Sequence, residues 1–269
     1  MDFEIIHLQE VVSTNSWLLE RGTTSSCNPS SITHHPSPIT RHPSSITHHP
    51  SPITRHPSPI TQVVIADYQT GGRGCGTNMW ESERGKNLLF SVLLHPVELP
   101  ANQQFRISMA VSVALREMLS QYADGFSIKW PNDIYWNDRK ICGILIENRL
   151  TGTLIRDSII GIGLNVNQRV FHSDAPNPVS LSQIVGHDID CDALLNDFLG
   201  RLDSVSIRET LCFDYQNNLF RREKQAEYAD RSGRFTAELQ RVMPDGRLVL
   251  IDAEGRERFY AFKEVQFIL

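Results

Sequence analysis

The chain has 269 residues, with 26 Lys and Arg against 31 Asp and Glu, a formal charge of −5. That length suits one or two domains with a sizeable core, and the acidic balance argues against a nucleic-acid binder, whose affinity comes mainly from cations neutralising phosphates. No apolar run reaches the roughly 20 residues that span a bilayer, and MDFEIIHLQE lacks the basic-then-apolar order of a secretory signal. The expectation is a cytoplasmic protein with neither a nucleic-acid nor a membrane partner. The five cysteines, Cys27, Cys75, Cys142, Cys191 and Cys212, include no C-x-x-C pair, so zinc and disulfide frameworks are poor readings.

In chain order, Phe3–His7 alternates like a short strand. Ser13-Thr14-Asn15 offers helix-capping side chains before SWLLER, and Gly22 stops that helix. A seven-residue repeat then runs from Ser30 as SSITHHP and SPITRHP. Residues 23–62 hold eight of the 14 prolines, six of the ten histidines, two arginines and no acid. Its prolines exclude a continuous helix, and one isoleucine per repeat buries too little to offset ordering entropy. The segment therefore reads as a disordered surface insertion; the sharper alternative is a metal-binding tract of His34, His35, His42, His48, His49 and His56.

Val63–Ala66 reads as a buried strand running into the glycine-rich loop Gly71–Gly76 and then Trp80. Leu88–Leu94 is a second apolar strand. Gln103–Tyr122 carries apolar residues at Ile107, Val111, Ala114, Leu115 and Met118, a helical period. Short strands follow at Ile128–Trp130, Ile134–Trp136 and Ile141–Glu147, with Asn137-Asp138 as a turn, and then a longer one at Leu154–Val166. Helices are expected at Ala193–Leu202 and Thr210–Arg222. From Arg234 the tail alternates in short strands with turns at Pro244-Asp245-Gly246 and Glu254-Gly255. The pattern indicates an α/β catalytic domain over 1–230 and a small β-barrel-like module over 231–269.

No nucleophile elbow, phosphate-binding P-loop, dinucleotide fingerprint or H-E-x-x-H motif is present. What remains is a glycine-arginine loop with two nearby lysines. Glycines let backbone N–H groups turn toward an anion, and Arg73 adds a planar fork for phosphate or carboxylate. Lys129 ends a strand aimed at the core, and Lys140 precedes an apolar strand. Taken singly, the loop also reads as ordinary flexible chain and each lysine as a solvated charge.

Five motifs occur together and in order: Ser13-x-Asn15; Tyr68-Gln69 with Gly72-Arg73-Gly74 and Trp80; Lys129-Trp130-Pro131-Asn132-Asp133; R-K-x-x-G-I-L-x-E from Arg139; and G-x-G-x-N-V from Gly161. On these residues the chain resembles the biotin protein ligases over 1–22 and 63–269. The resemblance implies a mixed β-sheet flanked by helices, of the kind shared with class II aminoacyl-tRNA synthetases, and a C-terminal SH3-like β-barrel. It implies that biotin and ATP, with Mg2+, give biotinyl-AMP, and that biotin then passes to a lysine of a biotin carboxyl carrier protein domain. A lipoate-type ligase, a weakly catalytic adenylate-binding module and an interaction protein built on the repeat are the competing readings.

Carried over by motif position, Arg73, Lys129, Lys140 and Asp133 would be catalytic, with Mg2+ near Asp133. Ser13, Thr14, Asn15, Gln69, Arg73, Gly74, Lys140 and Gly143 would bind biotin, Gly143 by giving access to backbone. Gly72, Gly74, Cys75, Gly76, Lys129 and Asn132 would hold the nucleotide, Asn165 would face the adenine, and Trp80 would stand by the nucleotide or pack the loop. Many members of the family carry a second arginine where this chain has Cys75, which implies a looser hold on the adenylate. Some bear an N-terminal DNA-binding domain; this chain starts at the first catalytic strand, so no repressor role is expected.

Loop closure costs only about 0.6 kcal/mol per doubling of length. Deleting residues 30–61 is therefore expected to leave activity nearly intact. A deletion that folds, by circular dichroism, but has no activity would show that the repeat contributes to the site.

Overall fold

The computed structural model describes residues 3–21, 61–76, 78–172 and 177–269. The readings of the repeat as a disordered insertion or a histidine tract fall outside the described residues, apart from Thr61 and Gln62. Those two are already strand. They open β2 (Thr61–Ala66), which pairs in parallel with β1 (Phe3–Leu8) from Phe3 opposite Thr61 onward. Gln62 Nε2 also donates to Glu4 Oε2 across that pair (2.9 Å).

A seven-stranded mixed sheet is built from β1, β2, β3 (Leu88–Leu94), β7 (Leu154–Leu164), β6 (Arg139–Thr151), β5 (Asp133–Trp136) and β4 (Phe126–Lys129), in that order. Apart from β1 with β2, the neighbours are antiparallel. Helix α1 (Thr14–Arg21) covers one face, where Leu18 packs with Val64, Leu93 and Ile159. On the other face lie α2 (Phe105–Leu119), α4 (Cys191–Ser206) and α5 (Leu211–Asn217), over Phe90, Val92, Ile160 and Ile162. A five-residue helix, α3 (Leu181–Val185), lies between, held by a Ser180–Gln183 capping box and ended by Gly186 at φ +89°. No helix among the described residues is long and apolar enough to cross a membrane.

Strand side chains alternate between faces. In β3, Phe90 and Val92 point to the α2/α4 side, leaving Ser91 and Leu93 on the α1 side. The registers Gly143↔Gly163, Leu145↔Gly161 and Glu147↔Ile159 put those residues on the α1 side too. One face of the central strands is thus continuous core. The other changes from core at Ile159 to a glycine-floored hollow at Gly161 and Gly163.

A second, five-stranded antiparallel sheet has the order β11 (Glu257–Tyr260), β10 (Leu248–Asp252), β9 (Gly233–Val242), β8 (Gln225–Asp230), β12 (Gln266–Phe267). It starts at Gln225, before the expected boundary at 231, because Gln225–Asp230 pairs with β9 through to Asp230↔Gly233. The turn at Gly246 (φ +92°) joins β9 to β10 and receives Trp130 Nε1 on its carbonyl (2.8 Å). Gln216 Nε2 on Val242 O (2.6 Å) and Arg221 on Ile268 O (2.8 Å) complete the join between the sheets.

The helix expected at Thr210–Arg222 is shorter, ending at Asn217, where Asn218 N–H turns back to Tyr215 O and Asn218 Nδ2 caps Asp214 O (2.6 Å). Phe198 of α4 is fully buried edge-on against Phe90, ring centroids 5.4 Å apart. Phe198→Ala should destabilise the protein by about 3–5 kcal/mol. Urea unfolding would measure it, and a loss below about 1 kcal/mol would contradict this packing.

Candidate active site

A cavity of about 610 Å³ opens on the α1 side of the sheet, between the loop 69–80, the β4–β5 turn, strands β6 and β7, and the C-terminal segment 262–267. Ser13, Thr14, Asn15, Gln69, Arg73, Gly74, Cys75, Trp80, Lys129, Asn132, Asp133, Lys140 and Gly143 all line it. Gly72, Gly76 and Asn165 do not.

One hydrogen-bonded chain sets the deep end. Gln69 Oε1 accepts from Thr14 N–H (2.8 Å). Ser91 Oγ lies 2.7 Å from Thr14 Oγ1 and 2.6 Å from Asn15 Oδ1. Asn15 Nδ2 donates to Glu147 Oε2 (2.8 Å), which also pairs with the Arg73 guanidinium (2.7 Å). Glu147 thereby joins α1, β6 and the glycine-arginine loop. It was not among the expected site residues, and neither was Ser91. The signal for Glu147 was its place as the last residue of the R-K-x-x-G-I-L-x-E motif, in two-residue spacing with Gly143 and Leu145 on one strand face. Ser91 was marked as the one hydroxyl in the apolar run LLFSVLL.

The floor glycines have specific occupants. A Cβ on Gly163 would stand 2.5 Å from Cε2 of Trp80, and one on Gly143 would stand 2.9 Å from its Cζ3. At Gly161 the Asn15 carboxamide takes the equivalent place. Gly143 therefore serves first to seat the Trp80 indole. Gly72 lies outside the cavity but is required by it: a Cβ there would meet Trp80 O at 2.7 Å. Asn165 is placed otherwise than expected. Strand β7 ends at Leu164, so the alternation stops, and the buried Asn165 uses its N–H on Ile141 O (2.9 Å) and Nδ2 on Val179 O (3.2 Å). It braces the backbone behind the site and does not line the cavity.

At the other end, Lys140 Nζ pairs with Asp133 Oδ1 (2.8 Å) on the neighbouring strand. Lys129 Nζ stands 5.0 Å from the ring centroids of both Tyr135 and Phe267. Desolvation, helped by Lys140 and Arg221 and opposed by Asp133, pulls the Lys129 ammonium below its ordinary range. Asn132 spends both amide hydrogens on Ile144 O (2.6 Å) and Cys75 Sγ (3.2 Å), tying the β4–β5 turn to β6 and to the loop. Burial, then Asp133, push the Cys75 thiol up against the pull of Lys140, Lys263 and Asn132, so it is neutral at pH 7. The second sheet contributes Phe262, Lys263, Val265, Gln266 and Phe267 to the wall. None was expected, because only packing between the two sheets brings them there.

Cations thus gather at the cavity without a paired nucleophile and base. That arrangement binds and polarises an anion and does not by itself attack one. Among the described residues no group of three or more His, Cys, Asp or Glu could hold a metal ion. Asp133 and Glu147 are each already ion-paired, with Lys140 and Arg73.

Comparison with known proteins gives concordant results. Residues 46–165 match the biotin/lipoate A/B protein ligase family. The chain is similar to the bifunctional ligase/repressor BirA of Bacillus subtilis, 36% identical over 143 residues, covering 51% of this chain and 43% of that protein. It is similar to the biotin–[acetyl-CoA-carboxylase] ligase of Paracoccus denitrificans, 30% identical over 140 residues, covering 49% and 58%. The chain therefore spans less than two thirds of either relative. In fold it matches a biotin protein ligase from Aquifex aeolicus in complex with biotin and ATP, with a TM-score of 0.69 at 23% identity, covering 98% of this chain and 99% of that one.

The desolvated ammonium of Lys129 makes a checkable pH signature. With its folded pKa below the 10.5 of a free lysine, the unfolded chain binds more protons between the two values, and stability contributed by this group rises with pH there. Lys129→Met should be more stable than the parent at neutral pH, and that advantage should shrink as pH climbs toward 10.5. Urea midpoints across the alkaline range would measure it, and a pH-independent difference would rule it out.

Proposed function

We propose that this chain, whose residues 46–165 match the biotin/lipoate A/B protein ligase family, is an ATP-dependent biotin protein ligase. The observation that carries the reading is the cation-lined cavity, open at one end to a buried network of hydroxyls and amides and lacking a protein nucleophile. In the first step a biotin carboxylate oxygen attacks the α-phosphorus of ATP, and pyrophosphate leaves. In the second a carrier lysine amine attacks the acyl carbon of biotinyl-AMP, and AMP leaves. Neither step requires an enzyme nucleophile; both require two anions to be held close and their charge to be offset.

Lys140 and Lys129 oppose the carboxylate and phosphate oxygens, and the Asp133 partner keeps Lys140 oriented before substrate arrives. Arg73, bridged to Glu147, closes the loop over the ligand. Ser13, Thr14, Asn15 and Gln69 present hydroxyl and amide groups suited to a ureido ring. A dithiolane would offer these groups no hydrogen-bond partner, which favours biotin over lipoate. Mg2+ enters with ATP beside Asp133. The acceptor is a lysine on a biotin carboxyl carrier protein domain of a carboxylase, and the compartment is the cytoplasm, where ATP is present and thiols such as Cys75 stay reduced.

The test is ATP–pyrophosphate exchange on the purified chain. Exchange should require biotin, and lipoate should not replace it. Lys140→Ala removes one charge-assisted contact, worth roughly 1.5–3 kcal/mol, and should slow exchange about 10- to 100-fold. Absence of biotin-dependent exchange in the parent protein would overturn the reading; near-normal exchange in Lys140→Ala would remove that residue from it.

A further inference from the structure

Ser91 is fully buried beneath the deep end of the cavity and does not line it. On β3 it stands between Val64 of β2 and Gly161 of β7. Gly161 has no side chain, and the Asn15 carboxamide lies where its Cβ would be. Ser91 Oγ therefore reaches Asn15 over the bare glycine and reaches Thr14 from the same turn of α1. A buried hydroxyl inside an apolar strand costs free energy unless it is hydrogen-bonded. Here one hydroxyl hydrogen faces two oxygens, so the direction of each bond can be worked out.

Asn15 sets the fixed end. Its Nδ2 faces two oxygens that carry no hydrogen, Glu147 Oε2 (2.8 Å) and Leu145 O (3.3 Å), so the amide cannot be reversed. Asn15 Oδ1 is then an acceptor, and the single Ser91 hydrogen goes to it at 2.6 Å. Ser91 Oγ keeps its lone pairs. The Thr14 hydroxyl donates to them at 2.7 Å, closer than Gln69 Oε1 at 3.3 Å. Gln69 Oε1 is already taken by Thr14 N–H (2.8 Å). The hydrogens thus run from Thr14 to Ser91 to Asn15 to Glu147. With its hydrogen spent on Ser91, Thr14 Oγ1 offers the cavity only lone pairs.

Resting on the ligase reading, we infer that Ser91 is a specificity-determining residue: by taking the Thr14 hydrogen it makes Thr14 Oγ1 an obligate acceptor, so the deep end selects a ligand with a ring N–H at that point. A ring N–H of the biotin urea meets the requirement. An oxygen in the same place sets lone pair against lone pair and leaves a buried polar atom unpaired. Ser91 touches no substrate and acts through Thr14, so it is a positioning residue. Without it the Thr14 hydroxyl is free to rotate, and the preference for a donor is lost.

The probes are biotin and the two cyclic carbamates in which one or the other ring N–H of biotin is replaced by oxygen. Isothermal titration of the full chain with each, without ATP, reads the affinity ratio, and the thermal unfolding midpoint reports folding. The parent should bind biotin at least about 10-fold more tightly than one of the carbamates. In Ser91→Ala, biotin should weaken about 10-fold, and that ratio should fall to within about 3-fold, because Thr14 can now turn its hydrogen toward the oxygen. Ser91→Thr keeps the hydroxyl and should keep the parental ratio. If Ser91→Ala does not fold, Ser91→Cys, a weaker donor and acceptor, should narrow the ratio in its place. An unchanged ratio in the folded variant would overturn the inference, since lost packing alone weakens both ligands alike. A parent that binds biotin and both carbamates equally would also overturn it, as would loss of the ratio in a folded Ser91→Thr. If the parent binds biotin but shows no biotin-dependent ATP–pyrophosphate exchange, the ligase reading fails while the ratio still decides Ser91. A parent that binds no biotin overturns both.

Discussion

Like charges gathered in one hollow repel, and this site is arranged around that cost. Arg73, Lys129 and Lys140 line the same cavity of about 610 Å³, where partial burial weakens the screening that water would give. Two carboxylates make the gathering tolerable. Asp133 sits on Lys140 at one end, and Glu147 sits on Arg73 at the other. Glu147 has a second task, because the oxygen that takes Arg73 also takes the Asn15 amide. An anionic ligand would compete with these carboxylates for the same cations. The ion pairs therefore hold the side chains in place before a substrate is bound and limit how strongly a ground-state anion is held.

The glycines follow from the same arrangement. A flat aromatic ring and a carboxamide must lie directly on β6 and β7 if the cations are to converge above them. Only strands without Cβ atoms at Gly143, Gly161 and Gly163 allow that approach. Neighbouring Ile160 and Ile162 point the other way into the core, so one pair of strands carries both the packing of the fold and the floor of the site.

The sequence-legible part is the part governed by short-range periodicity. LLFSVLL is apolar throughout, and its limits as a strand match those of β3. Strand pairs, the long helix α2 and the turns at Gly246 and Gly255 follow from local residue chemistry in the same way. Helix α3 escaped although its Ser180-x-x-Gln183 box and Gly186 stop are local signals, because five residues are too few to show a helical period. The motif residues that line the cavity were legible through their order along the chain. Asn165 shows the limit of that reading. It stands one residue past the end of β7, and where its side chain goes is decided by the Val179 carbonyl, to which no motif points. Glu147 closes one of the motifs, but its partners Arg73 and Asn15, like the arrival of Ser91 and Lys263 at the site, come only from pairing between distant segments.

Lys129 shows how stability and function trade within this geometry. Its ammonium is held between Tyr135 and Phe267, where ring faces offset only part of the hydration it loses. No carboxylate pairs with it among the described residues, in contrast to Lys140. A ligand oxygen that reaches Lys129 therefore meets a cation with nothing to displace, in a setting where its field is poorly screened. Phe267 belongs to β12, so the second sheet partly determines how dry that lysine is. The fold accepts a destabilised charge at this point, and the free energy withheld from folding is what a bound anion can recover.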